Sequence, residues 1–406
     1  MKMRRLISFG TMGLLAILLA FCSVVLAQDK LKQMFPDSEV VWERKLEKGI
    51  ASFAVAKASG DIAAISVGNG EMELRFLDKT GKLRWKRQFK GRAYFSKPPE
   101  VSDNGEVVCV YGWGRRKLNL RTWVFDKTGE LLFSVEKKHT FFYPSPDGNY
   151  FVEEGEAGLT REFPIYDRHG KLVWEIPPEG FGGDIFACRF VGKDHLLVYS
   201  ADYSAKESIL RLVTFPELET VWSYALEYPI MVFTTFQHTN TAIAENRIAF
   251  FGDIQRPWPP IYLFDMSGNL LWKRNDIRWP EAIALSDDGK FTVVVNANPR
   301  GIYIIDNESQ QILVFHQLAR SDPYFVFLNS SIFFSDPHKL IISGFARKKM
   351  ISYFCRFDKY WKIVHESYEE GLVRPFVFKT RKERFLLRSK LGIIQGISIG
   401  KVKEAR

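Results

Sequence analysis

Arginine stands beside an aromatic ring repeatedly in the irregular stretches of this chain. Trp113 precedes Arg115 and Arg116, Arg256 and Trp258 share the run DIQRPWPP, and Arg278 is followed directly by Trp279. Arg300 closes ANPR, Arg320 precedes Tyr324, and Phe345 precedes Arg347. A guanidinium is a planar fork of donors that fits a carboxylate or phosphate, and an exposed ring supplies contact area. The candidate binding residues are therefore Arg115, Arg116, Arg256, Trp258, Arg278, Trp279, Arg300, Arg320 and Arg347. The chemistry they suit is recognition of a protein or an anionic polymer.

Patterns for bond-making chemistry are missing. The seven histidines show no HxxxH or HExxH spacing, the GxSxG string at Gly396–Gly400 sits inside the strand-like run LGIIQGISIG rather than on a strand-to-helix turn, and no glycine-rich loop precedes a helix to cradle phosphate. The adjacent pairs Glu153-Glu154 and Glu369-Glu370 read as solvated charge. Cys109, Cys188 and Cys355 each lie in an apolar, strand-like run, where a free thiol behaves as a small hydrophobe. We expect no catalytic residue, no metal and no cofactor. A propeller enzyme with an axial active site stays open as the alternative, as does a scaffold for envelope assembly.

The elements that position these residues are hairpins. An apolar strand, Asp-x-x-Gly and a second strand with Trp or Phe recur as FLDKTGKLRW, VFDKTGELLF, IYDRHGKLVW and LFDMSGNLLW, turning at Asp78, Asp126, Asp167 and Asp265. Weaker copies surround Pro216, Asp306 and Asp358. Asp can bond its own backbone two residues on, and Gly supplies the positive φ of the reversal. That turn role accounts for the repeated Asp better than calcium ligation does. A second turn signal, ending at Gly105, Gly148 and Gly289, precedes several copies by roughly twenty residues, so the unit holds four strands, a to d. The copies are spaced by about 47 residues, the period of a β-propeller.

The fold is therefore read as all-β, an eight-bladed β-propeller, with seven blades as the alternative. The chain end supplies only three strands of a last blade, while Glu39–Leu46 matches Lys82–Phe89 almost position by position, Val40 with Leu83, Trp42 with Trp85, Arg44 with Arg87 and Leu46 with Phe89. The N-terminal strand is the missing fourth strand, and pairing it there removes an open edge. The series Trp42, Trp85, Trp174, Trp222 and Trp272, with Phe133, sits at one position of strand d and reads as blade-to-blade packing. Loops from b to c and from d to the next a share the face opposite the tight turns, and they carry the arginine series.

The FDxxGxLLW copies resemble the quinoprotein-like branch of β-propellers, within the wider WD40-like superfamily. The Gly-His and Trp-Asp pairs that mark WD repeats proper do not occur, and the preceding Ala of full quinoprotein repeats is missing. The resemblance implies a propeller of the non-catalytic branch, and it transfers no quinone or calcium ligand.

Residues 1–27 read as an export signal: Lys2, Arg4 and Arg5, then an uncharged run from Leu6 to Ala27, with Val25 and Ala27 placed for cleavage before Gln28. The run is also long enough to stay as a membrane anchor, and Cys22 raises a lipoprotein reading. Each places the remainder outside the cytoplasm, periplasmic or secreted. We expect a linker over 28–38, the propeller over 39–400 and a charged tail over 401–406. The signal carries three of the ten net positive charges, leaving a modest +7. No concentrated basic motif argues for nucleic acid. A monomer is expected, with membrane contact only if the N-terminal segment is retained.

Overall fold

The computed structural model describes residues 32–46, 50–68, 71–90, 98–113, 119–138, 140–155, 163–176, 184–202, 207–227, 241–244, 246–251, 259–297, 300–318, 326–336, 338–346, 349–370, 372–378, 383–390 and 393–401. These form eight four-stranded antiparallel sheets, each built from strands adjacent in sequence except the last. Blade I comprises Ile50–Val55, Ile62–Gly68, Glu71–Leu77 and Leu83–Lys90. Blade II is Glu100–Val101, Val107–Trp113, Asn119–Asp126 and Leu131–Lys138, and blade III is Thr140–Pro144, Tyr150–Gly155, Phe163–Asp167 and Leu172–Ile176. Blade IV is Asp184–Val191, His195–Asp202, Glu207–Thr214 and Thr220–Leu226, and blade V is Thr241–Ile243, Arg247–Phe251, Ile261–Asp265 and Leu270–Arg274. Blade VI is Pro280–Leu285, Phe291–Ala297, Arg300–Asp306 and Ile312–Gln317, and blade VII is Val326–Asp336, Lys339–Ala346, Lys349–Phe357 and Ile363–Glu370. Blade VIII joins Leu372–Phe378, Glu383–Lys390 and Ile393–Lys401 to Glu39–Lys45 from the other end of the chain. The count is eight, and the seven-blade alternative falls.

The repeat works as a turn and as a latch. Asp78 Oδ1 accepts from the Thr80 amide at 2.8 Å and the Lys82 amide at 3.0 Å, while Gly81 takes φ +76°. The Trp of the preceding blade lies on that glycine. Trp42 Nε1 donates to the Lys79 carbonyl at 3.1 Å, Trp85 to Lys127 at 2.9 Å, and Trp222 to Met266 at 3.2 Å. A Cβ on Gly129 would stand 2.8 Å from the Trp85 ring, and one on Gly81 would overlap Trp42. Glycine is thus required twice over, for its left-handed backbone and for the ring above it. Two residues past the Trp, Arg44 and Arg87 donate to the Gly81 and Gly129 carbonyls at 2.9 and 2.8 Å. The apolar cores lie between successive blades. That between blades IV and V gathers Leu197, Leu212, Trp222, Phe250 and Phe264.

The N-terminal strand closes the ring as expected: Val40 pairs with Ile397, Trp42 with Gly396 and Glu43 with Gln395. A polar chain crosses the same sheet, with Arg388 donating to Gln395 Oε1 at 2.9 Å and Gln395 Nε2 donating to Glu43 at 2.6 Å. Blade VIII has no continuous turn before its fourth strand, and the incoming chain makes one. The Ser38 amide donates to the Phe35 carbonyl at 2.9 Å, the same bond that Gly81 makes to Asp78. Met34 and Phe35 are buried against Ile341, Phe354 and Ile397, and Arg356 Nη1 donates to the Gln33 carbonyl. Of the stretch read as a linker, residues 32–38 are thus docked on the ring. Residues 1–27, 28–31 and 402–406 lie outside the described residues. Among the described residues no helix is long and apolar enough to cross a membrane.

One sequence reading is overturned. Glu153 and Glu154 are not solvated: they are 4% and 1% exposed, on an inner strand of blade III. Glu153 accepts from Lys137 Nζ at 2.7 Å and from the Tyr166 hydroxyl at 2.6 Å. The side chains of Glu369 and Glu370 lie outside the described residues. Among the described residues, Cys109, Cys188 and Cys355 are buried and form no disulfide, and burial pushes the Cys355 thiol up to about 12.

Candidate functional site: the long-loop end of blade VI

Three of the nine predicted residues fall in described positions, and all three belong to one place. Arg278 and Trp279 end the connection from the outer strand of blade V to the inner strand of blade VI. Arg300 heads the third strand of blade VI. Pro280 pairs with Asn296 and Ala297 pairs with Arg300, so the entry of the inner strand and the central hairpin meet at the same end of the blade, away from the tight turns. Arg115, Arg116, Arg256, Trp258, Arg320 and Arg347 lie outside the described residues.

The connection is short and tied down. Arg274 grips Asp276 with two bonds, Nε to Oδ1 at 3.0 Å and Nη2 to Oδ2 at 2.5 Å, and its Nη1 donates to the Gln310 carbonyl at 2.6 Å. The Arg274 bonds hold the Asp276 carboxyl below its usual range. Ile277 then inserts fully into the core between blades V and VI, with Trp272, Ile283 and Val294 around it. The next two residues are forced outward: Arg278 is exposed and Trp279 half-buried. Arg300 is fixed by its own carbonyl, which accepts from the Leu318 amide at 3.0 Å.

Trp279 carries a backbone feature of its own, with φ +50°. Four described residues other than glycine have positive φ, and three of them, Leu218, Gln310 and Trp361, stand where a tight turn between third and fourth strands needs glycine. Trp279 is the one on the opposite end of the blades. A bulky side chain in this region costs about 1–2 kcal/mol relative to glycine and persists where surrounding structure imposes it. Here the imposing structure is the Asp276 clamp and the Ile277 anchor on one side and Pro280 on the other.

Charge at this end is mixed. Burial raises the Glu281 carboxyl above its usual range, and the facing Arg300 opposes that rise. Glu281 occupies a bulge between Pro280 and Ala282, where the pairing register shifts by one. Its Oε2 is buried without a hydrogen-bond partner. Sequence reasoning missed Glu281, since a single carboxylate after a proline carries no pattern. It also missed a buried polar group on the first strands of blades III and IV. There Arg189 lies 5.3 Å from the Tyr143 ring centroid, and burial followed by the nearby Glu154 charge raises the Tyr143 hydroxyl well above its usual range. Among the described residues, no group of three or more His, Cys, Asp or Glu is placed to hold a metal ion.

A scan against protein-family models and a search of curated proteins each return no match. Solved structures do match. The Dos1 propeller superposes with TM-score 0.56 at 9% identity, over 89% of this chain and 96% of that one. The C-terminal WD40 domain of Sif2 gives TM-score 0.55 at 10% identity, over 89% and 98%. KlAtg21, solved in complex with the coiled coil of AgAtg16, gives 0.50 at 12% identity, over 80% and 99%. At such identities the likeness is one of fold, and in fold this chain is a WD40-like β-propeller.

Proposed function

We propose that this propeller is a non-catalytic binding module that acts outside the cytoplasm and captures a protein or an anionic envelope polymer through its long-loop face. Blade VI, with the connection that leads into it, contributes Arg278, Trp279 and Arg300 to that face. The observation that carries the reading is Trp279: a large ring held in a left-handed backbone, outside any tight turn, between exposed Arg278 and the head of the blade that bears Arg300. Strain of this kind is kept where a side chain must be aimed. An arginine fork beside a rigid ring is the usual make-up of a binding hot spot. The KlAtg21 complex with a coiled coil is a case of a propeller of like fold holding a protein. Export through residues 1–27 and kinship with the non-catalytic quinoprotein-like propellers, through the FDxxGxLLW copies, belong to the same proposal.

The test is capture from envelope extract by the tagged full chain and by Arg278→Ala/Trp279→Ala/Arg300→Ala. The wild type should retain a partner that the triple variant loses at unchanged circular dichroism and melting temperature. Equal capture by both proteins would remove blade VI from the binding face.

A further inference from the structure

Around the rim of the ring, charge is distributed unevenly, and blade I is the basic extreme. Its outer strand reads LRWKRQFK and bears exposed Arg84, Lys86 and Arg87, with Lys82 exposed just before it and no acid within it. Two of the nearby carboxylates, Asp61 and Glu73, are turned away from solvent, whereas Glu39 and Glu43 on the neighbouring outer strand of blade VIII are exposed. Asp61 is buried beneath Arg84 at 2.9 Å, Glu73 is buried against Arg75, and Asp78 is taken up by its own turn. On blade I the cations remain outside while their counter-charges point in, so its outer strand presents net positive potential.

Apolar surface lies on the same rim. Leu83 is 44% exposed, and Val41, on the neighbouring outer strand of blade VIII, is 47% exposed. The outer strand of blade VIII meets the turn that leads into the outer strand of blade I, because Trp42 rests on Gly81 and Arg44 donates to the Gly81 carbonyl. Aliphatic tips interspersed with long cationic side chains suit an interface where headgroups meet acyl chains. The position of the chain end agrees with this. The uncharged run Leu6–Ala27 stops five residues before Lys32, a span of at most about 18 Å. Lys32 leads directly into the docked segment beneath the outer strand of blade VIII.

We propose that the outer rim of blades VIII and I, centred on Val41, Arg44, Lys82, Leu83, Arg84 and Lys86, docks edge-on against the surface of an anionic bilayer. The rim contact depends on acidic headgroups whether the N-terminal segment is retained or removed: a retained segment brings the rim within reach of the bilayer, and only the anionic surface draws it into contact. The long-loop face is left free for its partner, because rim and face are perpendicular surfaces of the ring.

Amine footprinting read by mass spectrometry tests this on the full chain. The protein is mixed with vesicles of phosphatidylcholine alone or with about 30% phosphatidylglycerol, and acylation of Lys82 and Lys86 is compared with that of Lys290. Lys290, exposed on blade VI, serves as the control. Labelling of Lys82 and Lys86 should fall at least about fivefold on the anionic vesicles, with Lys290 unchanged, and recover in high salt. Lys82→Glu/Lys86→Glu should abolish the salt-sensitive part of co-sedimentation. Equal labelling on both vesicles, or protection by a soluble polyanion but not by vesicles, would overturn the proposal.

Discussion

Replacing Gly81 by Ala separates the cost of the turn from the cost of the latch. Gly81 and Gly192 both adopt positive φ, +76° and +64°, so an alanine at either pays about 1–2 kcal/mol for the left-handed backbone. They differ in surroundings: a Cβ at Gly192 meets nothing within 4 Å, whereas one at Gly81 overlaps the Trp42 ring. The ring has no room to retreat, because Gly396 lies against it as well. Relief requires either overpacking, at about 1–3 kcal/mol, or displacement of Trp42 with loss of its bond to Lys79, at about 1 kcal/mol. Gly81→Ala should therefore cost about 2–5 kcal/mol and Gly192→Ala about 1–2. Urea melts followed by circular dichroism measure both. In a Trp42→Ala background the clash is gone, and the Gly81→Ala cost should drop to that of Gly192→Ala, a coupling of about 1–3 kcal/mol in the cycle. Equal costs for the two alanines, or a Gly81→Ala cost unchanged without Trp42, would refute the latch.

Trp279→Gly relieves a strained backbone, so it should hold or raise stability, by up to about 1 kcal/mol after loss of ring contacts, while abolishing partner capture; thermal melts alongside pull-downs check both. Phe133 occupies the Trp position over Gly170, and Phe133→Trp should gain a bond to the Arg168 carbonyl by analogy with Trp85 and Lys127. The expected gain is about 1 kcal/mol in urea melts. The turn carboxylates set the acid limit. For Asp78 and Asp126 burial alone would raise the carboxyl, but bonds from Thr80 and Thr128 outweigh it and lower it. A lowered folded pKa gives stability that is present above the unfolded value of about 3.9 and lost as pH falls through the folded value. Melting temperature should drop steeply below about pH 4, and less steeply in Asp78→Ala/Asp126→Ala.

The ring was legible because its signal is repeated. Asp-x-x-Gly, the Trp seven residues after Asp78, and the Glu39–Leu46 match each specify a local contact, and copies reinforce one another. The features that stayed dark have a common cause, that burial is not written in residue type. Glu153-Glu154 reads as surface charge until Lys137 and Tyr166 are seen to neutralise one member and the inner strand to bury both. Phe35–Ser38 lacks the Asp-x-x-Gly form and turns instead on Pro36-Asp37, yet its backbone repeats the Gly81 bond because the incoming strand needs the same reversal. The left-handed Trp279 could not be foreseen either, since its conformation is imposed by a clamp from Arg274 and an anchor at Ile277.

Both the two-faced geometry and the placement of blade VI depend on how the chain ends meet, and one cross-link interrogates that meeting. Glu43 and Gln395 are register partners 352 residues apart. Glu43→Cys/Gln395→Cys, made in the full chain with Cys22→Ala, should oxidise to a single intramolecular disulfide without competition from buried Cys109, Cys188 and Cys355. It should raise the urea midpoint, with a ceiling of about 6 kcal/mol from the closed loop. Thiols that stay reduced in a folded protein, or that pair only between molecules, would contradict the closure.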